Sequence, residues 1–254
     1  MDENGGVAGR GIMAVGQLEK ATVLADVTQG TDGFASITEI GKRPDADPAT
    51  DLRMSLRGRC FGTVLADPPW RFQNRTGKVA PEHRRLCRYE TLSVDEIADL
   101  PVAEYTNDVA HCYLWVPNAL LPWGLRVLDA WGFEYKTNLV WHKVRKDGGS
   151  DGRGVGFYFR NVTELVLFGV KGRSARTLAP GRRQVNLISS RKREHSRKPD
   201  ELYPVIEECS WGPFLELFGR GVREGWTVWG NQADSQYAPD WPTYAYNSAG
   251  QLFA

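Results

Sequence analysis

"VLADPPWRF", Val64–Phe72, runs from apolar residues straight into an acid, two prolines and a tryptophan. The apolar part starts at Cys60 (CFGTVLA, Cys60–Ala66). It has the length of a strand without polar alternation, which is how a strand buried on both faces reads. Prolines cannot donate to a sheet ladder, so Pro68 and Pro69 end the strand and stiffen the chain after it. Read blandly, the prolines are punctuation and Trp70 is a packing residue. The placement of Asp67 at the carboxyl end of a buried strand permits a second, chemical reading.

Working outward, further strands are expected at Val109–Val116, Lys136–Val144 and Thr163–Val170, and within PFLELFG (213–219) and WTVWGN (226–231). A helix opens at SVDEIADL, where Ser93 and Glu96 form a capping box. A second helix lies in ALLPWGLRVLDAWGF, started by Pro122 and stopped by Gly132. A third, PDELYPVIEEC, is expected to carry Pro199 in its first turn. Lys146–Gly156 reads as a flexible loop and 171–198 as a basic, loop-like stretch. Strands alternating with helices imply an α/β fold: a mainly parallel central sheet with helices on both faces. Ligands of such sheets bind beyond the carboxyl ends of the strands, so Asp67, Glu216, Asn231 and Lys198 should converge there.

The chain divides into an accessory or flexible N-terminal segment (1–48), a catalytic domain (49–235) and a tail (236–254). Its 254 residues carry 32 basic and 31 acidic side chains, a net charge of +1, which excludes a global attraction to nucleic acid and leaves only local ones. Cys60, Cys87, Cys112 and Cys209 are scattered, with neither C-x-x-C nor zinc spacing, so no metal site is expected. No signal peptide or membrane span is apparent, and the expectation is a soluble, cytoplasmic protein without a membrane partner.

The chemical reading of Asp-Pro-Pro-Trp concerns an exocyclic amine. The lone pair of such a nitrogen is delocalised into its ring, which makes it a poor nucleophile. Two acceptors taking both N–H bonds would draw it towards tetrahedral geometry. Asp67 supplies one, and the carbonyl of Pro68, its direction fixed by the Pro-Pro link, supplies the other. Trp70 offers a face on which an unpaired or flipped base could stack. The rest of the task is alignment of nitrogen, methyl and leaving sulfur.

ADPPW at Ala66–Trp70 resembles the motif of the MT-A70 family of S-adenosylmethionine-dependent adenine-N6 methyltransferases. YETLSVDEI (89–97), LVWHK (139–143), ELVLFGVKG (164–172), SRKPDELY (196–203), FLELFGR (214–220) and GWTVWGNQAD (225–234) resemble further family segments in the same order. The resemblance implies a Rossmann-like methyltransferase fold with permuted motif order, the catalytic motif preceding the cofactor strand. It also implies roles. Asp67, Pro68, Pro69 and Trp70 match the catalytic motif. Lys198 matches the lysine that meets the methionine carboxylate of the cofactor, helped by the positive end of the helix expected at Pro199. Glu216, Leu217 and Arg220 match the Glu-Leu-Phe-x-Arg cofactor segment. Asn231 and Gln232 match the ribose-contacting amides, and Asp51 and Leu52 align with an Asp-Ile pair beside the cofactor adenine once a gap is allowed. Tyr89, Lys143 and Arg71 fall near the methyl-accepting base. The bland alternatives are a packing tyrosine, surface charges, a solvated lysine at 198 and an ion pair within the Glu216–Arg220 motif. Trp115 and Trp141 read as core. The chain departs from the eukaryotic members after Arg220, where Gly221, Val222 and Arg223 stand in place of Pro-His-Asn.

Two basic runs flank these residues. One comprises Lys171, Arg173, Arg176, Arg182, Arg183, Arg191, Lys192, Arg193, Arg197 and Lys198, and the other Arg71, Arg75, Lys78, Arg84, Arg85 and Arg88. A charge run is usually a solvated loop. Beside an acidic-aromatic motif it also suits a phosphate-binding wall for single-stranded or base-flipped nucleic acid. DNA is favoured over RNA by likeness to bacterial and phage members. Competing readings are a cytosine-N4 methyltransferase, whose motif is more often Ser-Pro-Pro-Tyr, and a catalytically silent nucleic-acid-binding partner, which would lack the acid and tryptophan. The loop 146–156 corresponds to a partner-contacting region of eukaryotic relatives, compatible with a homodimer.

Overall fold

The apolar run before Asp67 is a strand, Phe61–Ala66, buried at every residue. It is β2 of one sheet. The others are β1 (Thr38–Gly41), β3 (Thr106–Val116), β4 (Glu134–Val144), β5 (Thr163–Lys171), β6 (Leu187–Arg191), β7 (Phe214–Leu217) and β8 (Trp226–Gly230). Four α-helices accompany them: α1 (Pro48–Ser55), α2 (Val94–Ala98), α3 (Leu121–Ala130) and α4 (Leu202–Cys209). This computed structural model describes residues 38–41, 47–71, 91–152, 158–192 and 197–237, and the elements named are those among the described residues. Cys87, Tyr89, Arg193 and the basic residues 75–88 fall outside them, as do residues 153–157 of the expected loop.

The strand order is β1-β8-β7-β2-β3-β5-β4-β6. Every pairing is parallel except those of β5, which runs antiparallel to both β3 and β4. The motif strand β2 lies beside β7, far downstream in the sequence; Ala66 is level with Leu217. This is the Rossmann-like, mainly parallel sheet that the resemblance implied, with the motif strand β2 preceding its sheet neighbour β7 in the chain.

Local chemistry sets the helices. Asp47 caps α1, its carboxylate accepting from the backbone N–H of Ala49 and Thr50 at 3.1 and 3.0 Å. Ser93 and Glu96 close the expected capping box on α2, at 3.2 and 2.7 Å. Pro122 lies in the first turn of α3, and Gly132, at φ +80°, lets the chain leave it.

Successive side chains of β2 and β3 point to opposite faces. Val64, Ala66, Cys112, Leu114 and Val116 pack with Leu52 of α1, Ile97 of α2 and Val127 and Leu128 of α3. Leu65, Tyr113 and Trp115 pack on the other face with Val205, Ile206 and Cys209 of α4. Both faces are therefore covered, which is why β2 and β3 read as continuous apolar runs. Cys112 and Cys209 are buried and Cys60 is exposed. No helix among the described residues is long and apolar enough to cross a membrane.

Three expectations need correction. First, the basic stretch 171–198 contains β6, an edge strand pairing in parallel with β4; Ile188 and Ser190 turn inward, and the hydroxyl of Ser190 accepts the indole N–H of Trp141 at 2.9 Å. A buried serine hid the alternation. Second, the last helix starts at Leu202, not Pro199. Pro204 lacks an N–H and clashes with a preceding turn, so it fits only within the first turn, which sets the start there. Third, the boundary at residue 49 leaves out β1, which pairs with β8 from Thr38↔Thr227 to Gly41↔Gly230. The sheet thus takes in a strand from the segment expected to be accessory.

Candidate active site

Beyond the carboxyl ends of β2 and β7 lies a cleft of about 220 Å³ whose walls include Asp67, Trp115, Lys198, Tyr203, Glu216, Phe218, Arg220 and Arg223. The backbone after β2 is pinned on all sides. Asp67 N–H donates to the carbonyl of Leu217, Trp70 N–H to that of Pro68 at 2.8 Å, and Leu92 N–H to that of Pro69 at 2.9 Å. Pro68 keeps a second carbonyl lone pair beyond its bond to Trp70. Trp70 itself is only 5 % exposed and donates its indole N–H to the carbonyl of Trp115 at 3.0 Å. That differs from the expected stacking face. A buried indole needs a partner for its N–H, and here the partner is β3, so Trp70 ties the motif to the core.

An alternating chain of charges crosses the sheet edge. Lys143 Nζ lies 2.6 Å from Glu164 Oε1, Lys198 Nζ lies 3.5 Å from Glu164 Oε2, and Lys198 Nζ lies 2.9 Å from Asp67 Oδ1. The two lysines also lie over indole rings, Lys143 4.8 Å from the centroid of Trp141 and Lys198 5.3 Å from that of Trp115. Burial works against the charge of Lys198, but Asp67 and Glu164 outweigh it and push its pKa up to about 12. Burial also opposes the Glu164 carboxylate, yet the two lysines hold it below its ordinary value. For Lys143 burial wins over Glu164 and lowers the pKa, and for Asp67 burial wins over Lys198 and raises it. Asp67 keeps 32 % of its side chain accessible, so solvent screens part of the Lys198 field there.

The opposite wall is built on Glu216. Tyr203 of α4 donates its hydroxyl to Glu216 Oε1 at 2.8 Å. Burial pushes the Glu216 carboxyl up to about 7, against that hydrogen bond and the charge of Arg223. The chain then turns at Phe218, at φ +63°, and crosses β8 at Gly219, where a Cβ would come within 2.3 Å of Val228 Cγ1. Only glycine allows this approach, which brings Arg220 back to the cleft.

Of the residues singled out in the sequence, Asp67, Lys198, Glu216 and Arg220 line the cleft together. Lys143 joins them through Glu164. Leu217 is core, and its carbonyl positions Asp67. Asn231 and Gln232 are exposed at the end of β8; the carbonyl of Gln232 accepts from Gly221 N–H at 2.6 Å, but neither side chain is part of the cleft wall. Asp51 and Leu52 are fully buried in α1, Asp51 accepting the indole N–H of Trp229 at 2.8 Å, and stand apart from the cleft. Arg71 is on the surface, held by the carbonyl of Thr91 at 2.8 Å and by Glu96. Glu164, Tyr203, Arg223 and Tyr237 were not foreseen. A charged residue opening an apolar strand was the available signal for Glu164, but its value depends on β5 running antiparallel.

The cleft chemistry suits a ligand with an anionic end and hydroxyl groups: Lys198 at one wall, an acceptor carboxylate at the other. Comparisons with known proteins point the same way. The chain is 32% identical over 186 residues to a probable N(6)-adenosine-methyltransferase MT-A70-like protein of rice, covering 72% of this chain and 24% of that protein. It is 32% identical over 193 residues to the human N(6)-adenosine-methyltransferase catalytic subunit METTL3, covering 74% and 31%. A type II methyltransferase, M.MunI, of Mycoplasma sp. is 26% identical over 211 residues, covering 74% of this chain and 84% of that one. The chain thus spans about a quarter to a third of the length of the two N(6)-adenosine-methyltransferase relatives. Residues 61–232, which run from the motif strand to just past β8 and include most of the cleft wall, match the MT-A70 family model, and the chain belongs to that family.

Proposed function

We propose that the chain transfers a methyl group from S-adenosylmethionine to the N6 amino group of adenine in nucleic acid. The observation that carries this reading is Asp67: a carboxylate at the mouth of a buried strand, held by Lys198 on one oxygen and sharing a cleft with Glu216. The donor set fits the cofactor. Lys198 matches its carboxylate in charge, Glu216 can accept from vicinal hydroxyls, and Arg220 and Phe218 add a cation and a ring to the same wall. Bound there, S-adenosylmethionine would supply an electrophilic methyl group.

The chain's own residues do the rest. Asp67 accepts one N–H of the target amine and the free lone pair of Pro68 accepts the other, which localises the nitrogen lone pair. Lys198 and Glu164 keep Asp67 in place. Trp70 and Leu92 hold the Asp67–Pro69 backbone rigid, so little reorganisation is needed at the moment of transfer. We favour DNA as the substrate, because the match extends over most of the type II methyltransferase's length. Lys171 lies level with Ala110 near the start of β3, and Arg173, Arg176, Arg182 and Arg183 follow it away from the cleft; of the basic run, Arg191, Lys192, Arg197 and Lys198 are the described residues at the cleft edge, as candidate phosphate contacts.

The test is transfer of labelled methyl from S-adenosylmethionine to adenine-containing DNA and RNA oligonucleotides, single- and double-stranded, with product nucleosides identified. N6-methyladenine in DNA supports the full reading. Label only in RNA overturns the DNA assignment, label on cytosine overturns the base, and cofactor binding without transfer to any of them leaves the silent-partner reading.

A further inference from the structure

Arg223 follows the turn at Phe218 and Gly219, and its surroundings are specific. Its guanidinium lies 3.5 Å from the centroid of the Tyr203 ring, and its Nη2 is 3.4 Å from Asp200 Oδ1. Asp200 in turn receives Arg197 Nη2 at 2.9 Å. The same Tyr203 ring packs at a right angle to Trp226, with centroids 5.2 Å apart, and gives its hydroxyl to Glu216 Oε1 at 2.8 Å. All but Trp226 line the cleft.

We propose that Arg223 is a positioning residue: stacked on Tyr203 and anchored by Asp200, it fixes the hydroxyl that aims Glu216 into the cleft. The inference rests on the proposed function, because it makes Glu216 the acceptor for the cofactor's hydroxyls. A tyrosine ring packed only against Trp226 could tilt and lower its hydroxyl away from Glu216. A planar cation over the ring, itself tied to Asp200, removes that freedom. The charge of Arg223 also favours the ionised form of Glu216. The groups acting on Glu216 come from each neighbouring element: Tyr203 from α4, Arg223 from the turn before β8, Asp200 from the turn before α4 and Asp67 from the end of β2. The two acids oppose its ionisation, and Arg223 and the Tyr203 hydroxyl favour it.

The experiment has two arms on the full chain. In the first, without cofactor, the 13C carboxyl resonance of Glu216, assigned with Glu216→Gln, is titrated in the wild type, Arg223→Ala, Arg223→Lys and Tyr203→Phe. Arg223→Ala and Tyr203→Phe are expected to raise the midpoint, and Arg223→Lys, which keeps the charge, to raise it less. In the second arm, sinefungin, a stable analogue of S-adenosylmethionine, is titrated by calorimetry. Tyr203→Phe is expected to weaken binding about tenfold, the scale of one hydrogen bond to a charged group. The double variant Arg223→Ala/Tyr203→Phe should lose less than the sum of the two single losses, since part of the effect of Arg223 passes through that ring. An unchanged Glu216 midpoint in Arg223→Ala, or full additivity in the double variant, overturns the proposal. Absence of sinefungin binding by the wild type overturns the cofactor assignment instead, while the first arm still decides the role of Arg223.

Discussion

Replacing Asp67 with asparagine isolates the carboxylate's charge at almost constant shape. Lys198 Nζ sits 2.9 Å from Asp67 Oδ1, and an ammonium has only donors. In the Asp67→Asn variant the new amide must therefore turn its oxygen to Lys198 and its NH2 group to the side where the amine of the substrate would lie. A donor then faces a donor. The cost to the transition state is that of a lost charge-assisted acceptor in a preorganised site, about 3 kcal/mol, or roughly 10²-fold in kcat. Cofactor affinity should move the other way or not at all. Asp67 competes with the cofactor carboxylate for Lys198, and neutralising it removes both the competitor and a like charge. The fold should persist, because Glu164 still faces Lys198 at 3.5 Å. Single-turnover transfer of labelled methyl to an adenine oligonucleotide gives the rate, calorimetry with sinefungin gives the affinity, and a thermal melt checks folding. A near-normal rate in a folded Asp67→Asn protein would refute the acceptor role. Binding weakened more than tenfold with the rate preserved would show that Asp67 serves the cofactor instead.

Other outcomes follow from the same geometry. With its carboxyl pushed up to about 7, Glu216 loses most of its charge between pH 8 and pH 6, so sinefungin binding should weaken about tenfold over that interval in the wild type and stay flat in Glu216→Gln. The same raised value means that the contribution of Glu216 to stability is fully present below about pH 4.5 and lost as pH rises through about 7. Glu216→Gln should therefore raise the denaturation midpoint of the cofactor-free protein at pH 8 and not at pH 4.5, read by urea unfolding at both. Trp70→Phe removes the buried indole hydrogen bond to the Trp115 carbonyl, a loss of about 1–3 kcal/mol in urea unfolding. Gly219→Ala forces a Cβ to within 2.3 Å of Val228 Cγ1 and should cost about 1–3 kcal/mol by the same measurement.

What the sequence made legible was whatever local chemistry decides. The capping box at Ser93 and Glu96, Pro122 and Gly132 around α3, and the unbroken apolar runs of β2 and β3 all follow from rules acting within a few residues, and the structure contains each of them. Features that depend on distant partners were hidden. β6 is five residues long, and its inward Ser190 is met by Trp141, a partner no local pattern announces. The role of Trp70 depended on the carbonyl of Trp115, 45 residues away. Arg223 read only as a departure from the family pattern because its meaning lies in Tyr203 and Asp200, at the start of a helix that itself begins later than the position of Pro199 suggested.

The direction of a single strand explains why the cleft has the charges it has. Were β5 parallel to its neighbours, its first residues would lie at the opposite edge of the sheet, and Lys143, at the end of β4, would face no acid there. Running antiparallel, β5 brings Glu164 level with Trp141, between Lys143 and Lys198. Two half-buried lysines side by side would each depress the other's charge; one carboxylate between them lets Lys198 stay cationic, and a cationic Lys198 is what draws Asp67 towards its ionised form against burial. The acceptor at the mouth of β2 therefore depends on a residue three strands away in the chain. Glu164→Gln should accordingly impair methyl transfer without touching substrate, and raising the pH, which takes the proton from a Lys198 no longer held by Glu164, should deepen the loss. A rate loss that persists unchanged up to about pH 9 would mean that Glu164 acts by some other route than the charge of Lys198.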